Sequence, residues 1–352
     1  VSIRINPSLS KIAVNPSLSG KIAVLPHIGL TGTPAAQAVW DDNFVFVSHM
    51  NDNPDTSHIA DSTSNGNNGT KVGANEPIEV AGMLGKAQSF DGDDDYITIS
   101  NDSELWNNAT GCIEVLAKSD ASSRQTLVLF GSQNNDLLLD INSFCFIRVS
   151  ASIKWSISTD GFGTTGYKYV ALNQDGVQAK LYWDGTLKGS ASGTDVTAWS
   201  NLLTTPVLYL AKVDASSAYL NGLECKVRIS NIARTPEWIA ATNKSITDAL
   251  LTYGAISGQQ TAVTISSSDI DGDLTDFPVY LNLSASSGKT STDLSGLFTA
   301  IGNNWQRLHL RVDGRDCPME VVSWDTGTPY AEIHAKIPYI SSTANTDLVL
   351  SW

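Results

Sequence analysis

Between Trp40 and about Arg234 the chain runs through short β-prone stretches at close spacing, each ended by Gly, Asn, Asp or Ser: DYITIS (95–100), QTLVLFG (125–131), DLLLDI (136–141), CFIRVS (145–150), IKWSIS (153–158), YKYVAL (167–172), AKLYWDG (179–185), PVLYLAK (206–212) and CKVRIS (225–230). Strands of this kind, with no long amphipathic helix among them, bury their apolar faces by packing two sheets together, so a two-sheet sandwich is expected. Asp184-Gly185 after Leu181-Tyr182-Trp183 predicts a hairpin turn. The one helical segment, from Thr235 at the N-cap and Pro236 at N1 to about Lys244, closes this domain.

A second β-rich stretch covers about 258–352. Alternation in Ala331-Glu332-Ile333-His334-Ala335-Lys336-Ile337 predicts a half-buried antiparallel strand, and the stretch is read as a smaller sandwich. The expected domains are an extended N-terminal arm (1–39), a jelly-roll-sized sandwich (40–245) and a C-terminal β-sandwich (246–352). In the arm NPSLSKIAV (6–14) returns as NPSLSGKIAV (15–24). Two copies are too few for a solenoid, so an arm that pairs with a neighbouring sheet edge is the better expectation.

Charge sharpens this division. The 352 residues carry a formal net charge of −14, which argues against nucleic-acid binding, since phosphate contacts need clustered Lys and Arg. Residues 1–40 hold no acid and three bases, Arg4, Lys11 and Lys21, whereas 41–243 hold 24 acids against 13 bases and 244–352 hold 12 against 6. The arm is therefore expected to anchor on an acidic neighbour, such as another copy or subunit of the same assembly. No apolar stretch approaches the roughly 18 residues that span a bilayer, so no membrane insertion is expected.

Cys112, Cys145, Cys225 and Cys317 form no CxxC pair; the first three sit in β-like runs and are expected as buried thiols. No H-E-x-x-H, G-x-S-x-G or P-loop occurs, nor the E-x-D-x-x-E arrangement of jelly-roll glycosidases, so no catalytic residues are assigned.

Four landmarks arrive in order: D-S-x-S-N-G-N-x-G at 61–69, S-F-D-G-x-D-D-Y at 89–96, the strand-DG-strand hairpin at 184–185 and V-R-I-S-N-x-A-R-T-x-x-W-I at 227–239. Together they resemble a laminin-G-like, concanavalin-A-like jelly roll. The tail resembles a β-rich domain family of unknown function that often accompanies such jelly rolls in modular extracellular and viral surface proteins. The fold class implied is all-β, a concanavalin-A-like two-sheet jelly roll plus a smaller sandwich. The function implied is glycan recognition, adhesion or packing on particle surfaces, with Ca²⁺ in some members.

Sites follow from the residues themselves. Asp91, Asp93, Asp94 and Asp95 crowd one turn, and Ca²⁺ takes six to eight oxygens from such loops. Asp61, Asn65, Asn67 and Glu224 are further candidate ligands, turn formation being the competing role. Asp269, Asp271, Asp273 and Asp276 lack the EF-hand glycine position and are expected as a solvated turn. Trp155, Trp183 and Trp199, in polar surroundings, are the candidates for stacking on glycans, with core packing as the alternative. The expected protein is thus a non-catalytic structural and adhesion protein of an extracellular assembly, most of all a virion surface. The alternative is a secreted carbohydrate-binding module or the binding part of a carbohydrate-active enzyme.

Overall fold

The computed structural model describes residues 26–73, 76–99, 107–132, 134–203, 207–213 and 218–352. Arg4, Lys11, Lys21 and the repeat lie outside these residues. Two compact units are formed: one spans Trp40–Lys244, and the other combines the described residues 26–39 with Ser245–Trp352. Both are built almost wholly of strands.

The Trp40–Lys244 unit is a sandwich of two antiparallel sheets. One has nine strands in the order Ser192–Gly193, Ser152–Ser158, Phe144–Val149, Asn135–Ile141, Gln125–Ser132, Leu208–Leu210, Tyr96–Ile99, Gly69–Val72 and His58–Ile59. The other runs Thr186–Ser190, Ala179–Trp183, Lys168–Gln174, Gly111–Ser119, Asn221–Ser230, Lys86–Asp91 and Ile78–Ala81, with Phe44–Ser48 also paired to Asn221–Ser230. Alternate side chains of both sheets meet between them, among them Val128, Phe130, Leu137, Leu139 and Ile147 from the first and Ile113, Val115, Val170, Leu172 and Val227 from the second. The four cysteines are free and buried.

In the other unit Met319–Asp325, Tyr330–Ile340 and Leu274–Leu283 form a sheet, and Leu251–Tyr253, Gln260–Ile265, Thr346–Ser351, His309–Val312 and Arg315–Asp316 form a second. The arm expectation is corrected over its described part. Ile28–Leu30 adds to the first sheet as a parallel edge strand beside Met319–Val321, and Thr31 Oγ1 donates to Glu320 Oε1 at 2.7 Å. A short helical turn, Pro34–Gln37, follows, with Thr33 Oγ1 accepting from Ala36 N. Gly29 allows the close approach, since a Cβ there would lie 2.1 Å from Thr33 Oγ1. Tyr330–Ile340 also departs from expectation. It is a central strand on which Glu332 and His334 are as fully buried as Ile333 and Ile337. No helix among the described residues is long and apolar enough to cross a membrane.

Candidate functional site

The nine-stranded sheet carries a second apolar cluster on the face turned away from the core. On Asn135–Ile141 the odd-numbered Leu137, Leu139 and Ile141 enter the core, so the pleat sends Asp136, Leu138 and Asp140 to the other side, and a bulge at Leu127 on the partner strand sets Thr126 opposite Asp140. Leu138 pairs with Leu129 and Phe146, and Leu129 with Tyr209. Val213 and Ala218, from the segment between Leu208–Leu210 and Asn221–Ser230, close over Leu129 and Leu138. Phe146 and Tyr209 stay partly exposed, and Phe144 is 50% exposed.

Polar groups are set around these rings. Arg148 donates through Nε and Nη2 to both oxygens of buried Asp136, at 2.8 and 2.7 Å, and its guanidinium lies 5.6 Å from the Phe146 ring. Arg124 Nε and Thr126 Oγ1 donate to the two oxygens of Asp140 at 2.5 and 2.7 Å. Burial pushes the Asp140 carboxyl up to about 6, against the pull of Arg124 and Thr126 and with a small push from Asp136. Lys212 Nζ sits 3.9 Å from the Tyr96 ring centre and 5.1 Å from that of Tyr209, which meets Tyr96 edge to face at 5.7 Å. The result is a face of partly exposed rings interleaved with two arginine–aspartate pairs, of which Arg148–Asp136 is bidentate. Sequence reasoning missed it because its carboxylates lie inside apolar runs. The signal was present in the alternation of Phe144, Phe146 and Arg148 against Cys145 and Ile147.

Two of the three tryptophans proposed for glycans are corrected. Trp155 is 0% and Trp199 3% exposed; they stack at 6.4 Å in the core, and Trp155 Nε1 donates to Ala198 O at 2.8 Å. The polar neighbours Lys154 and Ser156 suggested a surface site, yet in a strand they mark the face opposite to Trp155. Trp183 is partly exposed, edge-on to Phe162 at 5.8 Å, with Lys188 Nζ 4.5 Å and Lys168 Nζ 5.7 Å from its ring. The turn that follows has Asp184 at φ 48° and Gly185 at φ 79°, and Asn243 Nδ2 donates to Asp184 O at 3.1 Å.

The expected cation ligands do not gather as one set. The Asp61 carboxylate is spent on the chain itself, accepting from the backbone N–H groups of Val47, Thr63 and Asn67 at 2.9–3.0 Å and from Thr63 Oγ1 at 2.7 Å. Burial nonetheless holds its pKa above the ordinary value. Asn65 and Asn67 donate their side-chain amides to backbone carbonyls of Phe44 and Val45. The 61–67 run is therefore a clamp on the Phe44–Ser48 strand. Glu224 is fully buried, burial drives its pKa far up, and neither oxygen has a hydrogen-bond partner, so it is a neutral acid. Asp93 is exposed and its N–H donates to Asp91 Oδ1 at 2.8 Å, an ordinary turn contact. What does converge is Asp91, Asp94 and Asp95, with one oxygen of each within 4.8 Å of the others. Asp95 is 4% exposed, burial and then the Asp91 charge push its pKa up to about 6, and its Oδ1 has no hydrogen-bond partner.

Residues 91–240 match the family model of the concanavalin A-like lectin/glucanases superfamily, Laminin_G_3. The sandwich is a concanavalin A-like jelly roll. The match covers most of the two-sheet unit, including both pairs of arginine and aspartate described above. No curated protein sequence matches the chain. Among solved structures the chain is similar to domain 4 of AbnA, a GH43 extracellular arabinanase from Geobacillus stearothermophilus, in complex with arabinotriose (22% identity, 56% of this chain and 97% of that one, TM-score 0.42). It is also similar to the binding domain of Paraclostridial Mosquitocidal Protein 1 (12% identity, 89% and 92%, TM-score 0.47) and to the botulinum neurotoxin serotype G binding domain (10% identity, 64% and 57%, TM-score 0.46).

Proposed function

We propose that the chain is a non-catalytic, glycan-binding adhesion protein displayed on an extracellular assembly, a virion surface being the setting its acid-free N-terminal segment suits. The observation that carries this is the outer face of the nine-stranded sheet, where Tyr96, Tyr209, Phe144 and Phe146 flank the Arg148–Asp136 and Arg124–Asp140 pairs. Rings of this kind stack on the apolar faces of sugars, and fixed planar groups hydrogen-bond their hydroxyls. Both carboxylates are tied to arginine, which favours binding over hydrolysis, since a glycosidase needs one carboxyl free to protonate the leaving oxygen. The Ca²⁺ reading narrows to Asp91, Asp94 and Asp95, where a hard cation would relieve the crowding of three acids.

A glycan array on the intact chain and on Tyr209→Ala and Phe146→Ala tests the site. At least a tenfold loss of affinity is expected with the melting temperature unchanged within a few degrees, and wild-type binding by both variants overturns the reading. Self-association of the full chain that disappears on removal of residues 1–25 supports the assembly role. A monomer in both cases transfers the reading to a free carbohydrate-binding module. For calcium, a rise in melting temperature at millimolar Ca²⁺ that Asp95→Asn abolishes is expected; no shift removes the cation.

A further inference from the structure

We infer that a pocket at one end of the eight-stranded sheet, between the 175–178 turn and the 194–202 loop, binds a single neutral sugar ring, as a site separate from the face of the nine-stranded sheet. Strand register brings its walls together. Gln174 ends Lys168–Gln174 beside Gly111 on one neighbour and Ala179 on the other, so the residues before Gly111 and the turn before Ala179 meet at the same end. The cavity measures about 240 Å³. That is below the range of about 300–1,000 Å³ usual for drug-sized ligands, which suits one ring rather than a chain. Asp195, Thr197 and Asn201 supply its polar lining, and Ala109, Ala198 and Leu202 its apolar lining. A pyranose presents the matching mixture, with hydroxyls on its edge and C–H groups on its faces.

The walls are fixed before any ligand arrives. Buried Gln174 donates through Nε2 to Val196 O at 3.0 Å and to Ala198 O at 3.4 Å, while its Oε1 accepts from Gly176 N at 3.0 Å. One amide thus ties the turn to the loop. Trp155 Nε1 adds a bond to Ala198 O at 2.8 Å, and Asn201 N donates to Asn108 O at 3.1 Å. A site held in this way has little ordering left to do on binding.

Polar capacity is left over from that scaffold. Asp195 Oδ1 accepts from Thr197 N at 3.1 Å and Thr197 Oγ1 at 2.7 Å. The Thr197 hydroxyl above all lowers the Asp195 pKa, so the carboxylate is ionised at neutral pH. Its Oδ2 and the side-chain amide of Asn201 make no hydrogen bond among the described residues. One sugar hydroxyl can donate to the carboxylate and another can bond to the amide. The charge also selects. Lys154 attracts Asp195 from beyond ion-pairing distance, so the carboxylate stays uncancelled and opposes sialic and uronic acids. For one ring an affinity on the order of 1 mM is expected.

Saturation-transfer NMR on the full chain at pH 7.5 tests the pocket, with methyl β-galactoside, methyl α-mannoside and methyl β-N-acetylglucosaminide each at about 5 mM. Transfer to at least one of them is expected. It persists when Tyr209→Ala and Phe146→Ala are combined, which separates this pocket from the sheet face. At least a fivefold loss is expected in Asn201→Ala and in Leu202→Trp, two exposed positions whose replacement leaves the melting temperature within a few degrees. Asp195→Asn, which keeps an acceptor for Thr197, is expected to admit N-acetylneuraminate where the unmodified chain excludes it. No transfer to any of the three sugars overturns the proposal, as does an undiminished signal in both pocket variants. Loss of the signal in the sheet-face double variant, or a preference of the unmodified chain for N-acetylneuraminate, overturns it as well.

Discussion

Asp95 and Asp140 show how burial sets chemistry one residue at a time. Both carboxyls sit near 6, above the ordinary carboxylate value, chiefly because burial penalises their charged forms. The folded chain therefore holds protons that the unfolded chain releases. That stability is complete below the ordinary aspartate pKa and is lost as pH rises through about 6. Asp95→Asn is accordingly expected to raise the unfolding free energy at pH 7.5 by on the order of 2 kcal/mol, and to leave it unchanged at pH 3.5. Equal effects at both pH values would contradict the assignment. Trp155→Ala empties a core position and is expected to cost about 3–5 kcal/mol in chemical denaturation. A surface tryptophan would cost far less. The polarity of Lys154 and Ser156 does not report the exposure of Trp155, because in a strand neighbouring residues lie on the opposite face. Asp136 and Asp140 escaped notice for the mirror reason: inside apolar runs, their place beside Arg148 and Arg124 depends on pairing between strands.

At the scale of elements, local signals were legible wherever turn chemistry decided the outcome. The Asp184-Gly185 hairpin formed as expected, with both residues at positive φ. Its packing against the Pro236–Ile246 helix was not legible, because a Cβ on Gly185 would meet Ala240 Cα at 3.1 Å and that helix lies far along the chain. Gly185→Val is expected to destabilise the jelly roll by about 2 kcal/mol or more, through backbone strain and this close approach. The 61–69 landmark was found from residue types, but its role was assigned to a cation when its acceptors serve backbone amides. Asp61→Ala strands three N–H groups at once. A loss of about 3 kcal/mol or more, insensitive to chelator, is expected in thermal melts. Sensitivity to chelator would restore a ligand role.

For the whole molecule, the all-β character and the jelly roll were readable from strand spacing and ordered landmarks, while the fate of residues 26–39 was not. Nothing near Ile28 in sequence signals that its partner is Met319. Removal of residues 1–39 is expected to lower the melting transition of the unit containing Ser245–Trp352 and to leave the jelly-roll transition in place. Removal of 1–25 alone, which keeps Ile28–Leu30, serves as the control. Calorimetry resolves the two cases, and an unchanged profile after the longer deletion would show that the edge strand contributes nothing. The same arrangement has a mechanical side. Since the unit containing Ser245–Trp352 also includes residues 26–39, the chain leaves that unit to build the jelly roll and then returns to it, so two covalent connections join them. Under the proposed function, a pull on a bound glycan would reach both connections, and a single proteolytic cut at either crossing would leave the jelly roll joined through the other.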